Sequence, residues 1–380
     1  MPRPDAPGPL RRRGPRPLLM HLLGTAGTGL SSSCSPGSSS CSPGSPNSSG
    51  GPPGLFDAAL VAGIAAYRRH PYQRDLPDPA CLWAEGDSRL LDYGAPPGRP
   101  VLFVPSLVNR AYVLDLAPGR SMLRWLAEHG VRPLLLDWGW PGAAERRFTL
   151  TDVIAGRLER AIAAAGAPVV LAGYCMGGLL ALAAALRRPD RVRALALLAT
   201  PWDFHSENGA EAVRLGASLP LLEPLLAATG TLPIDAIQAM FASPDPGSIA
   251  AKYRAFGRMD QGGAAARGFV ALEDWLNDGV PLAAPIARET LAGWYGENQP
   301  GRGAWCVAGA AVDPGRLDMP CFVAAPARDR IVPPGSALPL AALIPGAVLH
   351  RPAAGHIGMT AGPRAESALW SPLLGWLQGL

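Results

Sequence analysis

The tightest constraint on the architecture lies in six residues, Gly173-Tyr174-Cys175-Met176-Gly177-Gly178. A continuous apolar run, Val169-Val170-Leu171-Ala172, leads into them, and the Leu- and Ala-rich stretch 179–186 leads out. A short unbroken apolar run suits a strand buried on both faces, and the stretch behind it suits a helix. Between them the chain turns sharply, with small residues where strand and helix must pass closely. Such a turn lifts its central side chain, here Cys175, above the sheet edge. The helix N-terminus then faces the sulfur and favours its thiolate. The pattern is the nucleophile elbow G-x-S-x-G with Cys in the Ser position.

The surrounding pattern agrees. Strands are expected at 101–104, 134–136, 169–172 and 194–198, with helices at 121–129, 152–165 and 179–186 between them. Ser121 is a natural N-cap and Gly130 a natural stop for the first of these helices. The rhythm lapses over 203–300 and returns at 321–325 and 347–350. Strands alternating with helices give a mostly parallel sheet with helices on both faces. The expectation is an α/β-hydrolase fold whose core is 99–202 plus 301–380, with 203–300 inserted as a cap. Residues 55–98 read as an N-terminal helix, near 55–67, and a linker broken by Pro71, Pro77 and Pro79.

Residues 1–54 read as a disordered, low-complexity extension. Ser-Ser-Ser-Cys-Ser-Pro-Gly occurs twice, at 31–37 and 38–44, with too little apolar surface to offset the entropy of ordering. The basic and mildly apolar stretch 11–30 ahead of Cys34 faintly imitates a secretory leader. A plain extension, or a start assigned too early, fits better because His21 and several glycines interrupt the apolar run. No stretch is apolar enough to span a membrane.

Composition excludes other classes. Net charge is +4, Lys252 is the sole lysine, and the arginines are scattered rather than gathered into a nucleic-acid stripe. The six cysteines include no C-x-x-C pair, so neither a zinc site nor a disulfide framework is expected, and a reduced cytoplasmic chain is.

An elbow needs an acid and a His later in the chain. Of the six histidines, His356 sits in the small-residue loop Ala354-Gly355-His356-Ile357-Gly358, after the last strand. His350, at the end of that strand, is the rival. Asp329, just past the 321–325 strand, is the expected acid; Asp313 and Asp318 precede that strand and fall at the wrong sheet edge. The alternative for Asp329 is a surface pair with Arg328 or Arg330. The N–H of Met176 is one expected oxyanion donor. Pro105 has no N–H, so the second falls to Ser106 or Leu107, and Leu107 is preferred.

These residues and their neighbours resemble the polyhydroxyalkanoate synthases over about 99–360. The likeness is carried by Val104-Pro105-Ser106-Leu107-Val108-Asn109-Arg110, by Leu136-Asp137-Trp138-Gly139-Trp140-Pro141, by the Cys175 box and by Thr200-Pro201-Trp202-Asp203-Phe204. Two further blocks extend it: Trp275-Leu276-Asn277-Asp278-Gly279-Val280-Pro281, and the Asp329 and His356 motifs. The resemblance implies a Cys175–His356–Asp329 triad that polymerises 3-hydroxyacyl-CoA, with the growing polyester held on Cys175 as a thioester. CoA thioester is then substrate, and no cofactor or metal is called for. It also implies a second synthase subunit or a homodimer, and a place at the polymer granule surface. The length resembles the short, two-subunit, short-chain-length synthases. The family often has His after the acid; here it is Arg330. The competing readings are a Cys hydrolase of the same fold, such as a depolymerase, esterase or thioesterase, and a non-enzymatic granule-binding subunit.

Overall fold

The computed structural model describes residues 12–18, 20–21, 57–94, 98–207, 209–243 and 245–380. The repeats at 31–37 and 38–44, and the leader-like stretch beyond residue 21, lie outside the described residues. The chain divides into two compact units, one made of residues up to 73 with 238–277, the other of 74–237 with 278–380.

The larger unit is built on eight strands: β1 (Ala80–Glu85), β2 (Ser88–Asp92), β3 (Arg99–Val104), β4 (Val131–Asp137), β5 (Val169–Tyr174), β6 (Val192–Leu198), β7 (Cys321–Ala324) and β8 (Val348–His350). Their spatial order is β1-β2-β4-β3-β5-β6-β7-β8. The six strands β3 to β8 run parallel, and β1 and β2 are antiparallel. The central strands are buried on both faces, as their unbroken Val/Leu/Ala composition requires. Helix α1 (Met122–Glu128) starts where expected, with the Ser121 hydroxyl accepting the Arg124 N–H at 3.1 Å. Gly130 follows at φ 82°. Helix α2 (Met176–Arg187) leaves β5 through Cys175, and α3 (Pro334–Leu343) lies between β7 and β8.

The hairpin β1–β2 falls inside the stretch read from sequence as linker. Gly86, at φ 57°, makes its turn, and β1 is largely exposed, so it carries no buried-strand signature. The antiparallel pair extends the sheet past β4, as edge strands of mostly parallel sheets often do.

The smaller unit packs helix Ala58–Arg69 with helices Pro246–Gly257 and Ala264–Asn277. Asp57 caps the first by accepting the N–H groups of Ala59 and Leu60. Leu60, Ile64, Tyr67, Tyr253, Phe256 and Val270 form its core. Gly63 passes so close that a Cβ there would lie 2.0 Å from the Tyr253 carbonyl oxygen. Lys252 and the Tyr253 hydroxyl satisfy the buried Glu273 carboxylate at 2.7 and 2.9 Å. Arg12, inside the expected extension, grips Asp274 with two nitrogens at 2.6 and 2.8 Å, and Tyr67 donates to the same carboxylate at 2.8 Å. A bidentate guanidinium supplies an anchor that composition alone does not reveal.

Candidate active site

Cys175 sits at the junction of β5 and α2 with φ 57° and ψ −129°. A non-glycine residue held there costs of order 1–3 kcal/mol, and such strain persists only where the surroundings impose it. The imposition is visible. The Cys175 N–H donates to the Leu198 carbonyl, and its own carbonyl accepts the Gly178 N–H, both at 2.9 Å. A Cβ on Gly177 would lie 2.0 Å from the Val104 carbonyl oxygen, and one on Gly178 would lie 1.8 Å from Thr200 Oγ1. The glycines are what let α2 nest against the ends of β3 and β6. The sulfur, half-buried, ends up over the carboxyl edge of the sheet at the N-terminus of α2.

His356 lies in the loop after β8 and is buried. Its Nδ1 is 2.7 Å from Asp329 Oδ2. The other carboxylate oxygen, Oδ1, accepts the N–H groups of Ile331 and Val332 at 2.8 and 2.9 Å. The acid is therefore buried and aimed at the imidazole, while Arg328 and Arg330 beside it are exposed. His356 is in turn hydrogen-bonded to Cys175 through its side chain. Burial alone would lower the imidazole's proton affinity. The charge of the Cys175 sulfur, the Asp329 hydrogen bond and the Cys175 hydrogen bond outweigh it and push the pKa up to about 10. The rival His350 faces elsewhere: its Nε2 is 2.7 Å from the Ala368 carbonyl and its ring stacks on Phe322.

Met176 and Leu107 are both buried, and neither backbone N–H is hydrogen-bonded to another described residue. Met176 is the first residue of α2, where N–H groups have no partner within the helix. Leu107 belongs to the loop after β3, whose Pro105 carbonyl accepts the Trp138 indole N–H at 3.1 Å. Val108 in that loop accepts the Val280 N–H at 3.1 Å, which stitches it to the 279–280 segment.

One contributor went unnoticed in the sequence. Tyr174 is buried, and its ring centroid lies 5.1 Å from that of His356. Its position in the elbow motif is one where any residue is allowed, so the pattern gives it no role.

The family model of the alpha/beta hydrolase fold matches residues 99–230. An esterase from Exiguobacterium antarcticum superposes with a TM-score of 0.50 at 14% identity, over 77% of this chain and 96% of that one. That likeness speaks for the fold alone. Sequence relatives go further. The poly(3-hydroxyalkanoate) polymerase subunit PhaC of Haloferax mediterranei is 28% identical over 307 residues, covering 78% of this chain and 62% of that protein. The proteins of the same name from Synechocystis and Allochromatium vinosum are each 29% identical, covering 73% and 75% of this chain and 77% and 82% of their own lengths. Over about three quarters of its length the chain is similar to these poly(3-hydroxyalkanoate) polymerase subunits.

The Thr200–Phe204 block packs directly behind the elbow. Asp203 Oδ1 accepts the His205 N–H at 2.9 Å and the Asn298 side-chain amide at 2.8 Å, and Asn298 accepts the Phe204 N–H at 3.0 Å.

The His356–Cys175 pair makes a first prediction. Cys175→Ala removes the largest influence that raises the imidazole's pKa, so the His356 titration followed by NMR moves well below 10. An unmoved midpoint would show that the sulfur does not hold the proton on the imidazole. Linkage gives the sign for stability. The folded imidazole keeps a proton that the unfolded chain loses near 6.5, so its contribution is full below 6.5 and is lost as pH rises towards 10.

Proposed function

We propose that this chain is an acyltransferase that polymerises 3-hydroxyacyl-CoA into a polyester, with release of CoA, through Cys175, His356 and Asp329. The observation that carries the reading is a strained Cys at a helix N-terminus, hydrogen-bonded to a buried His that is itself held by a buried Asp.

The chemistry follows from the groups. The Cys175 thiolate attacks the thioester carbonyl of the acyl-CoA. The developing oxyanion is taken up by the N–H groups of Met176 and Leu107. The C–S bond to CoA breaks, and CoA leaves with the proton from the His356 imidazolium. One thioester has replaced another, so the acyl group stays activated on Cys175. The 3-hydroxyl of a second acyl-CoA, or of a growing chain, then attacks the acyl-Cys while His356 Nε2 accepts its proton. The Cys175 thiolate departs and an oxygen ester remains, a downhill exchange. Asp329 holds Nδ1 and leaves Nε2 to serve the reacting atoms. Water must be kept out during the second step, and the parts of the 203–300 insertion that belong to the larger unit are assigned that task; there Phe204, Trp294 and Tyr295 form an aromatic cluster, with Phe204 5.0 and 5.8 Å from the other two centroids.

The relatives are named as subunits, which supports a second chain or a second copy of this one taking part. A cytoplasmic protein at the polymer granule surface fits the same reading. Among the described residues, no helix is long and apolar enough to cross a membrane.

Purified protein given 3-hydroxybutyryl-CoA, alone and with a candidate second subunit, should release CoA with the appearance of insoluble polymer. Free 3-hydroxybutyrate in place of polymer would establish a hydrolase. No CoA release under either condition would leave a granule-binding role.

A further inference from the structure

Tyr174 is the residue before the nucleophile and the last of β5, where it pairs with Leu198 of β6. The elbow pattern leaves its position open. The side chain is buried, and burial holds the phenol above its usual range, so it stays neutral. It meets the catalytic base at two points. Its ring lies beside the His356 imidazole, with centroids 5.1 Å apart and planes inclined by 35°. That separation is within the range over which aromatic rings attract. Its hydroxyl donates to the main-chain carbonyl of His356 at 3.4 Å.

The base needs such a tie. His356 stands 182 residues beyond Tyr174, in a loop whose other bonds run elsewhere. The Arg328 N–H donates to the Ala354 carbonyl at 3.1 Å, and the Ala327 N–H to the Pro352 carbonyl at 2.9 Å. These join the base loop to the acid loop. On the far side of His356, the Met359 N–H donates to the Gly355 carbonyl at 3.1 Å, and the Thr360 hydroxyl to the Ile357 carbonyl at 3.0 Å. Those bonds hold the loop against the acid and against itself; none of them reaches β5. Asp329 grips one ring nitrogen, and a single hydrogen bond at Nδ1 leaves the imidazole plane free to turn. Tyr174 restrains that turn, and it does so from the residue adjacent to the sulfur that Nε2 must reach.

We propose that Tyr174 is the positioning residue of the base: its ring braces the His356 imidazole so that Nε2 stays turned to the Cys175 sulfur while Asp329 holds Nδ1. The titratable groups found against the imidazole among the described residues are Asp329, from the loop after β7, and Cys175 and Tyr174, from the end of β5. Tyr174 neither gives nor takes a proton; it acts through His356. The inference rests on Cys175 and His356 working as a pair, but not on polymer being the product.

Two variants test it. Tyr174→Leu removes the ring, and Tyr174→Phe restores the ring without the hydroxyl. The readout is alkylation of Cys175 by iodoacetamide in the full-length protein, followed on the Cys175 peptide by mass spectrometry, since Cys81 and Cys306 are also exposed. At pH 6 the thiolate depends on the imidazolium beside it; at pH 9.5 a thiol ionises unaided. In Tyr174→Leu the rate at pH 6 should fall by about 3- to 10-fold, the range set by the contact energy of an aromatic pair, while the rate at pH 9.5 matches the unaltered protein. Tyr174→Phe should bring the pH 6 rate back to within about 2-fold. A merely structural role would change both rates together. An unchanged rate at pH 6 in Tyr174→Leu, or equal losses at both pH values, overturns the proposal. So does a Tyr174→Phe variant that loses more than about 3-fold at pH 6, a result that stands even if the leucine variant does not fold. The probe needs no acyl-CoA, so a chain that alkylated as expected but released no CoA would fail the acyltransfer reading and leave this one intact.

Discussion

With Cys175 replaced by alanine, CoA release from 3-hydroxybutyryl-CoA is expected to fall by roughly 10⁴-fold or more, the scale on which triad enzymes lose their nucleophile. The loss should lie in kcat, because the side chain removed forms the bond and adds little to ground-state binding. The structure supplies its own control. Cys321, at the start of β7, is buried, and burial pushes its thiol up to about 12. It stays protonated and inert, so Cys321→Ala should leave the rate of CoA release unchanged. A steady-state assay of both variants checks the pair. Retained release in Cys175→Ala would mean that another group carries the acyl chain.

The second large effect is expected at Asp329. Asparagine fills the same volume, and its carbonyl oxygen can still accept the N–H groups of Ile331 and Val332. Its amide then points N–H groups at His356 Nδ1, where the carboxylate had accepted a hydrogen bond. The imidazole answers by taking the other tautomer, with its proton on Nε2, and can no longer accept one there. Asp329→Asn should therefore lower kcat by about 10²- to 10⁴-fold with KM little changed. Thermal unfolding should shift far less than activity, since the acid loop keeps its backbone bonds. A variant that lost stability and activity in proportion would make Asp329 a packing residue.

Much of this site could be read before any coordinates, and the reasons differ by residue. Cys175 was legible because the elbow is a local device, written in consecutive glycines between a buried strand and a helix. Asp329 and His356 were legible because a parallel sheet fixes which strand ends reach the elbow, and few acids or histidines follow those ends. The choice between His356 and His350 turned on loop against strand, and the hydrogen bond of His350 to Ala368 shows the physical basis of that choice.

Other features depend on partners distant in sequence. In sequence the hairpin β1–β2 reads as linker because β1 is mostly exposed, and its strand character comes from β2 pairing with β4. Helix Ala58–Arg69 was foreseen, but its packing on 246–277 was not, since nothing in its own periodicity names a partner nearly two hundred residues away. Arg12 sits in a stretch whose composition resembles a floppy tail, yet one guanidinium with two bonds to Asp274 gives it a defined place. Tyr174 carries no motif at all, and its ring meets His356 only when β5 and the loop after β8 are brought together.

The measurement that bears most directly on the account is to mix the full-length protein with 3-hydroxybutyryl-CoA, quench in acid within the first turnovers, and locate the bound acyl group by peptide mass spectrometry. The account predicts a 3-hydroxybutyryl thioester on Cys175, absent from Cys175→Ala and released by hydroxylamine. Acyl groups found on a serine or on another cysteine, or CoA released in a burst with no acyl-enzyme at Cys175, would contradict it.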